Sequence, residues 1–123
     1  MTTEVLDAGG YADAVAGPGI VLVDFRTDRS GSSRAFSAVF DAAATRHPDL
    51  RLAAVDTGAE EALAAELGVR SAPTLMAYRD GVLVFAEPSW LPADSLDLLV
   101  DTIRALDMPA VRAVYPEPLR QEH

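Results

Sequence analysis

The stretch Ile20–Phe25 constrains the fold of this chain more than any other. It reads Ile-Val-Leu-Val-Asp-Phe, with no polar alternation before Asp24. A strand that is buried on both faces has this pattern, because neither of its faces meets water. A polar loop, Arg26–Ser33, follows the strand, and an apolar helical pattern begins directly after that loop. The sequence therefore predicts an α/β fold in which a buried strand delivers a loop to the start of a helix, where such folds usually place functional groups.

A long helix is predicted over Ser33–Arg46, because apolar residues recur there at helical spacing and form one face. Serine oxygens at the start of this segment are suited to accept hydrogen bonds from its first N–H groups. His47-Pro48 ends the helix, since the residue before a proline disfavours the helical backbone region. Shorter helices are predicted at Tyr11–Ala16, at Ala59–Leu67 and from Pro92 to about Leu106.

Strands alternate with helices in the first half of the chain, whereas the second half ends in a hairpin and a helix. The dipeptide Asp80-Gly81 is typical of a tight hairpin turn, because it supplies the positive φ angles that such turns need. This order predicts a central mixed five-stranded sheet flanked by about four helices. The remaining strands are expected at Thr2–Asp7, Leu50–Val55, Leu75–Tyr78 and Val82–Ala86.

The length of 123 residues suits one domain with a sizeable core. We assign residues 1–107 to that domain and residues 108–123 to a C-terminal tail that is rich in proline. The tail is expected either to be loosely ordered or to dock on the surface. Its apolar residues would contact the domain or a partner: Val111, Val114, Tyr115 and Leu119.

The charge of the chain disfavours some classes of partner. Its formal net charge is −9, and every fixed positive charge is an arginine. Such a surface repels the phosphates of nucleic acids and of anionic membranes, so we expect neither as a partner. The first residues show no basic region followed by an apolar run, and no run approaches the length of a membrane span. We therefore expect a soluble protein in the cytoplasm.

Cysteine is absent from the sequence. Disulfide bonds, thiolate catalysis and cysteine-based metal sites are therefore excluded within this chain. We predict no cofactor and no metal site.

Several segments together resemble the thioredoxin family. They are Val21-Leu22-Val23-Asp24-Phe25, Gly68-Val69-Arg70-Ser71-Ala72-Pro73-Thr74-Leu75 and Tyr78-Arg79-Asp80-Gly81. The resemblance extends over roughly Thr2–Leu106, with the pieces in the order and at the spacing of the family. It implies a thioredoxin-like fold.

The same resemblance implies that the redox motif of the family has been replaced. Where the family has Trp-Cys-Gly-Pro-Cys, this chain has Arg29-Ser30-Gly31-Ser32-Ser33. Ser30 takes the place of the nucleophile and Ser33 that of the resolving thiol. Ala54 replaces the lysine that usually accompanies the buried acid, and Ala38 replaces the proline of the second helix. Because four of the changes lie outside the cysteine pair, a simple Cys→Ser replacement does not account for the site.

Serine at these positions does not support the chemistry of the family. Dithiol–disulfide exchange needs a thiolate, and a helix N-terminus favours an anion by at most about 2 kcal/mol, too little to ionise an alcohol. A serine nucleophile would need a nearby base. The two candidates are His47, expected at the far end of the long helix, and His123 in the tail. We therefore expect Ser30 and Ser33 to be vestigial positions with a capping role, and the chain not to be an enzyme.

Asp24 corresponds to the buried acid of the family. Without a thiol or a companion lysine we interpret it as a structural acid that serine or backbone donors hold. Burial without a cation should raise its pKa, so that Asp24→Asn should stabilise the protein near neutral pH.

The resemblance also implies a peptide-binding groove. Pro73 corresponds to the cis-proline of the family, and the backbone of Ala72 would then form hydrogen bonds with an extended peptide. Trp90 would either contact a partner or fill the groove. Arg26, Asp28 and Arg29 are expected to form a charged rim. The residues assigned to the groove are Arg29, Ser30, Gly31, Ser32, Ser71, Ala72, Pro73, Ser89 and Trp90.

These observations favour a redox-inactive protein-binding or chaperone-like accessory module with a protein or peptide partner. One alternative is a disulfide oxidoreductase, which only the family resemblance supports and whose activity would need cysteines from outside this chain. Another is a structural subunit that assembles through the tail or Trp90. The sequence leaves the oligomeric state open.

Overall fold

A computed structural model describes residues 3–114, which form one mixed sheet with helices on both faces. The strands are β1 (Glu4–Val5), β2 (Ile20–Arg26), β3 (Arg51–Asp56), β4 (Thr74–Arg79) and β5 (Val82–Pro88). The helices are α1 (Ala8–Ala16), α2 (Gly31–Arg46), α3 (Glu61–Glu66), α4 (Ala93–Arg104) and α5 (Met108–Val114).

β2 lies at the centre of the sheet, whose strand order is β1-β3-β2-β4-β5. β3 runs parallel to both β1 and β2, whereas β4 is antiparallel to β2 and to β5. Asp24 has Ala54 opposite it on β3 and Leu75 opposite it on β4. Every residue from Ile20 to Phe25 is buried, which confirms the prediction of a central strand without an exposed face.

The alternation of side chains along β2 supplies two separate cores. Ile20 and Leu22 pack on one side of the sheet with Phe36 and Phe40 of α2 and with residues of α4. Val21, Val23 and Phe25 pack on the other side with residues of α1 and α3. Because both faces of β2 are covered by helices, an uninterrupted apolar run is the pattern that the strand requires.

The elements at the two ends of the described chain differ from the sequence prediction. β1 has two residues instead of a strand over Thr2–Asp7, and Val5 at this edge is 77% exposed. Thr2 lies outside the described residues. α5 is an additional fifth helix in the segment that we assigned to the tail. Pro109 stands in the first turn of α5, where a missing N–H costs little, so this proline is compatible with the helix.

α5 docks on the domain. Its first residue, Met108, is buried, and Arg112 donates a hydrogen bond from Nη2 to the carbonyl oxygen of Asp80 at 3.1 Å. The surface-docked alternative for the tail thus applies to residues 108–114. The strip that we predicted continues through Tyr115 and Leu119, which lie outside the described residues. None of the helices between residues 3 and 114 has the length and apolarity to cross a membrane.

The turn between β4 and β5 has the geometry that its sequence predicts. Asp80 has a φ of 52° and Gly81 a φ of 83°, and the two strands pair in antiparallel register. The Oδ1 atom of Asp80 accepts a hydrogen bond from the N–H of Gly19 at 2.8 Å, so the side chain also ties the hairpin to the start of β2.

We expect Gly81→Ala to lower the free energy of unfolding by about 1–2 kcal/mol, because an L-residue is strained at this positive φ. A Cβ at this position would also lie 3.4 Å from the carbonyl oxygen of Ala16. Urea denaturation measures the loss. Gly17→Ala is the matched control, since Gly17 has a φ of −66° and a Cβ there makes only an ordinary contact at 3.7 Å. Equal effects of the two substitutions would contradict the role of the backbone angle.

Candidate functional site

Ser30 caps the N-terminus of α2. Its Oγ accepts a hydrogen bond from the N–H of Ser33 at 3.2 Å, and its backbone is extended with a φ of −111°. The carbonyl of Ser30 accepts the first hydrogen bond of the helix from the N–H of Arg34. Ser32 is exposed, and its hydroxyl lies 3.0 Å from the Oγ of Ser30. The hydroxyl at the position of the family nucleophile is therefore used to start a helix, as the sequence predicted.

Ser33 is fully buried and holds the loop that precedes α2. Its Oγ accepts a hydrogen bond from the N–H of Thr27 at 2.9 Å. Neither serine has a histidine nearby within residues 3–114, because His47 is the C-cap of α2. A helix of 16 residues is about 24 Å long, at roughly 1.5 Å per residue. There His47 contacts Asp97 and Arg104 instead. His123 lies outside the described residues.

Asp24 is fully buried and has two side-chain donors. Its Oδ2 accepts hydrogen bonds from Nε of Arg26 at 2.9 Å and from Oγ of Ser37 at 2.8 Å. The Oδ1 atom has no partner among the residues that the structure describes. The serine donor agrees with our interpretation of a structural acid. The expectation that Asp24 lacks a cation was wrong, because Arg26 takes that place.

Arg26 is folded back against α2 instead of standing at the rim of the loop. Its Nη2 donates to Oδ1 of Asp41 at 2.8 Å, and its guanidinium lies 5.9 Å from the ring centre of Phe40. Arg26 is therefore shared by a buried and an exposed carboxylate. Our prediction of a charged rim was wrong for this residue, whereas Asp28 and Arg29 are exposed.

Burial raises the pKa of Asp24 from its ordinary value of 3.8. The charge of Arg26 and the hydrogen bonds from Ser37 and Arg26 lower it, but burial dominates. The ionised form is thus less favourable in the folded protein than in water.

We expect Asp24→Asn to become more stable relative to the wild type as the pH rises. Since the folded pKa is raised, the folded protein retains a proton that the unfolded chain releases, and the contribution of Asp24 to stability falls with pH. Asparagine does not titrate. Urea titrations between about pH 4 and pH 8 should show the difference in the free energy of unfolding, variant minus wild type, increasing. A constant or falling difference would argue against a raised pKa.

The segment before β4 faces the loop that precedes α2. The peptide bond between Ala72 and Pro73 is cis, and Pro73 is buried while Ala72 is partly exposed. A cavity of about 390 Å³ lies between this segment and the loop. It brings together Arg29, Ser71 and Ala72 from the predicted groove.

The other predicted groove residues do not line this cavity. The Oγ of Ser30 caps α2, and the hydroxyl of Ser32 lies against that Oγ. A smaller cavity of about 180 Å³ lies on the other side of Ser71, against Glu87-Pro88 at the end of β5. The lining of neither cavity includes Gly31, Pro73, Ser89 or Trp90. The side chain of Trp90 is 47% exposed, so about half of its surface is open to a contact.

Some residues that line the cavity of about 390 Å³ were not among the predicted groove residues. Thr57 and Gly58 follow β3, and the N–H of Thr57 donates to the carbonyl of Arg26 at 3.0 Å, which joins the two loops. Glu61 of α3 and Arg70, which follows α3, line the same cavity. The loops after neighbouring parallel strands meet at one edge of a sheet, so the order of elements offered a way to find Thr57 and Gly58.

The sheet order, the polar loop at the start of α2 and the cis-proline segment beside it define a protein with a thioredoxin-like fold. The thioredoxin family model matches residues 2–103. The chain belongs to the thioredoxin family.

Sequence relatives and a solved structure agree with this membership. The chain is 38% identical over 122 residues to the Streptomyces coelicolor protein named "Putative thioredoxin 2", covering 98% of this chain and 91% of that protein. It is 31% identical over 97 residues to the thioredoxin of Chlamydia muridarum, covering 79% and 94% respectively. A mutant thioredoxin from Halobacterium salinarum has a similar structure, with a TM-score of 0.77, 26% identity and coverage of 85% and 93%.

We expect Ser30→Ala to lower the free energy of unfolding by about 1 kcal/mol, because the cap of α2 is lost. Ser32→Ala is the matched control and should change it by less than about 0.5 kcal/mol, since Ser32 is exposed. Thermal and urea denaturation measure both variants. A larger loss for Ser32→Ala than for Ser30→Ala would contradict the assignment of the cap.

Proposed function

We propose that this member of the thioredoxin family is a redox-inactive module that binds a protein or peptide in the cavity between the loop before α2 and the segment before β4. The absence of cysteine supports the first part, because the chain supplies no thiol for exchange. The two hydroxyls at the positions of the family cysteines support it too, since both accept structural hydrogen bonds.

The backbone of Ala72 is the observation that carries the binding role. Among residues 3–114, neither its N–H nor its carbonyl oxygen has a hydrogen-bond partner. Ala72 is partly exposed and borders the cavity of about 390 Å³. An extended peptide laid along this segment satisfies both groups, in the manner of strand addition. A chaperone-like accessory role in the cytoplasm is the form of this function that we propose.

The chain should not catalyse the reduction of insulin disulfides by dithiothreitol above the rate without protein. The physical reason is that a mixed disulfide requires a thiol, which serine does not provide. A cysteine-containing thioredoxin in the same assay is the positive control. Turnover that scales with the concentration of this chain would overturn the redox-inactive part of the proposal and favour an oxidoreductase.

A photo-crosslinking amino acid in place of Ala72 should capture a partner from a lysate of the native host. The same crosslinker in place of Leu98 on α4, which is 67% exposed, should not capture it. Trp90→Ala, with Leu98→Ala as its control, tests in parallel whether the exposed tryptophan contributes to the contact. The same proteins captured from positions 72 and 98 would contradict binding at the cavity.

A further inference from the structure

Some arginines of this protein form salt bridges with carboxylates, whereas others do not. Every fixed positive charge is an arginine, in a chain with a net charge of −9. Arg34 and Arg112 donate to backbone carbonyl oxygens. The side chains of Arg29 and Arg70 have no hydrogen bond or salt bridge with any residue in the range 3–114. Of the arginines in the described part of the chain, those that contact an acidic side chain are Arg26, Arg46, Arg51, Arg79 and Arg104.

Arg29 and Arg70 line the same cavity, although the chain places them on different loops. Both side chains are exposed, so a ligand in the cavity can reach them. The hydroxyl of Ser71, which also lines the cavity, has no hydrogen-bond partner among residues 3–114. Glu61 is the one acidic residue that the described part of the chain contributes to the lining. The cavity therefore carries two guanidinium groups against one carboxylate, in a protein whose overall charge is strongly negative.

We propose that this cavity takes the acidic side chain of an extended peptide whose backbone pairs with Ala72, an inference that rests on the proposed function above. A carboxylate accepts charge-assisted hydrogen bonds from guanidinium groups, and arginine suits such contacts because of its planar fork. The unpaired donors of Arg29, Arg70 and Ser71 are of the kind that such a group requires.

The same charges limit the kind of peptide. A net charge of −9 repels a strongly acidic segment as a whole. The segment therefore has one aspartate or glutamate in a neutral or basic surrounding, so that attraction at the cavity is not cancelled by repulsion elsewhere. Repulsion of polyacidic segments lowers their affinity, so it adds to the selectivity for the proposed peptide.

The test compares two fluorescent pools of decapeptides, random in neutral residues, that carry Glu or Gln at one central position. Fluorescence anisotropy with the full chain should show at least about tenfold tighter binding of the Glu pool. The double variant Arg29→Gln/Arg70→Gln should lose the preference for Glu, so that its affinities for the two pools become equal. Arg112→Gln on α5 removes one positive charge away from the cavity, against two in the double variant, and should keep the preference.

The outcomes separate this inference from the proposed function. Equal binding of both pools to the wild type overturns the acidic specificity and leaves peptide binding in place. Binding of neither pool overturns both. A loss of preference in Arg112→Gln as large as that in the double variant also overturns the inference, because net charge would then explain it. Unchanged unfolding midpoints of the variants in urea establish that the effect is not a loss of fold.

Discussion

The burial of β2 on both of its faces determines where the other elements of this protein lie. Alternate residues of the strand enter two different cores, one formed with α2 and α4 and the other with α1 and α3. Both neighbouring strands hydrogen-bond to β2 along its length. The loop that leaves β2 therefore begins at a rigid point, and the start of α2 is held at the edge of the sheet where thioredoxin-family proteins have their redox motif.

The same burial explains the arrangement around Asp24. A carboxylate in this position loses its hydration, which costs free energy unless donors replace the water. The position opposite on β3 is Ala54, which offers no donor. Arg26, two residues further along the same strand, points to the same face and supplies the charge. Ser37 and Asp41, one turn apart on α2, complete the contact from the helix. The cation thus comes from the strand itself.

Serine stands at both positions where the family has its redox cysteines, and both serines support the local architecture. Ser30 and Ser33 accept hydrogen bonds from backbone N–H groups and stabilise the start of α2 and the loop before it. These bonds need only an oxygen acceptor, so serine serves them without any thiol. The segment at Ala72 remains beside them, with backbone groups that are open to a partner. The redox chemistry of the family and the peptide binding that we propose therefore depend on different groups.

The sequence by itself determined the features that depend on neighbouring residues: the buried strand Ile20–Phe25, the Asp80-Gly81 turn, the serine cap of α2 and the lack of thiol chemistry. Each of these follows from local backbone preference, periodicity or the chemistry of single side chains. Tertiary structure decided the partners of Arg26, the docking of α5 and the meeting of Arg29 with Arg70 at one cavity. Those features join residues far apart in the chain or choose between competing partners, and only the packed arrangement of the sheet and helices makes that choice.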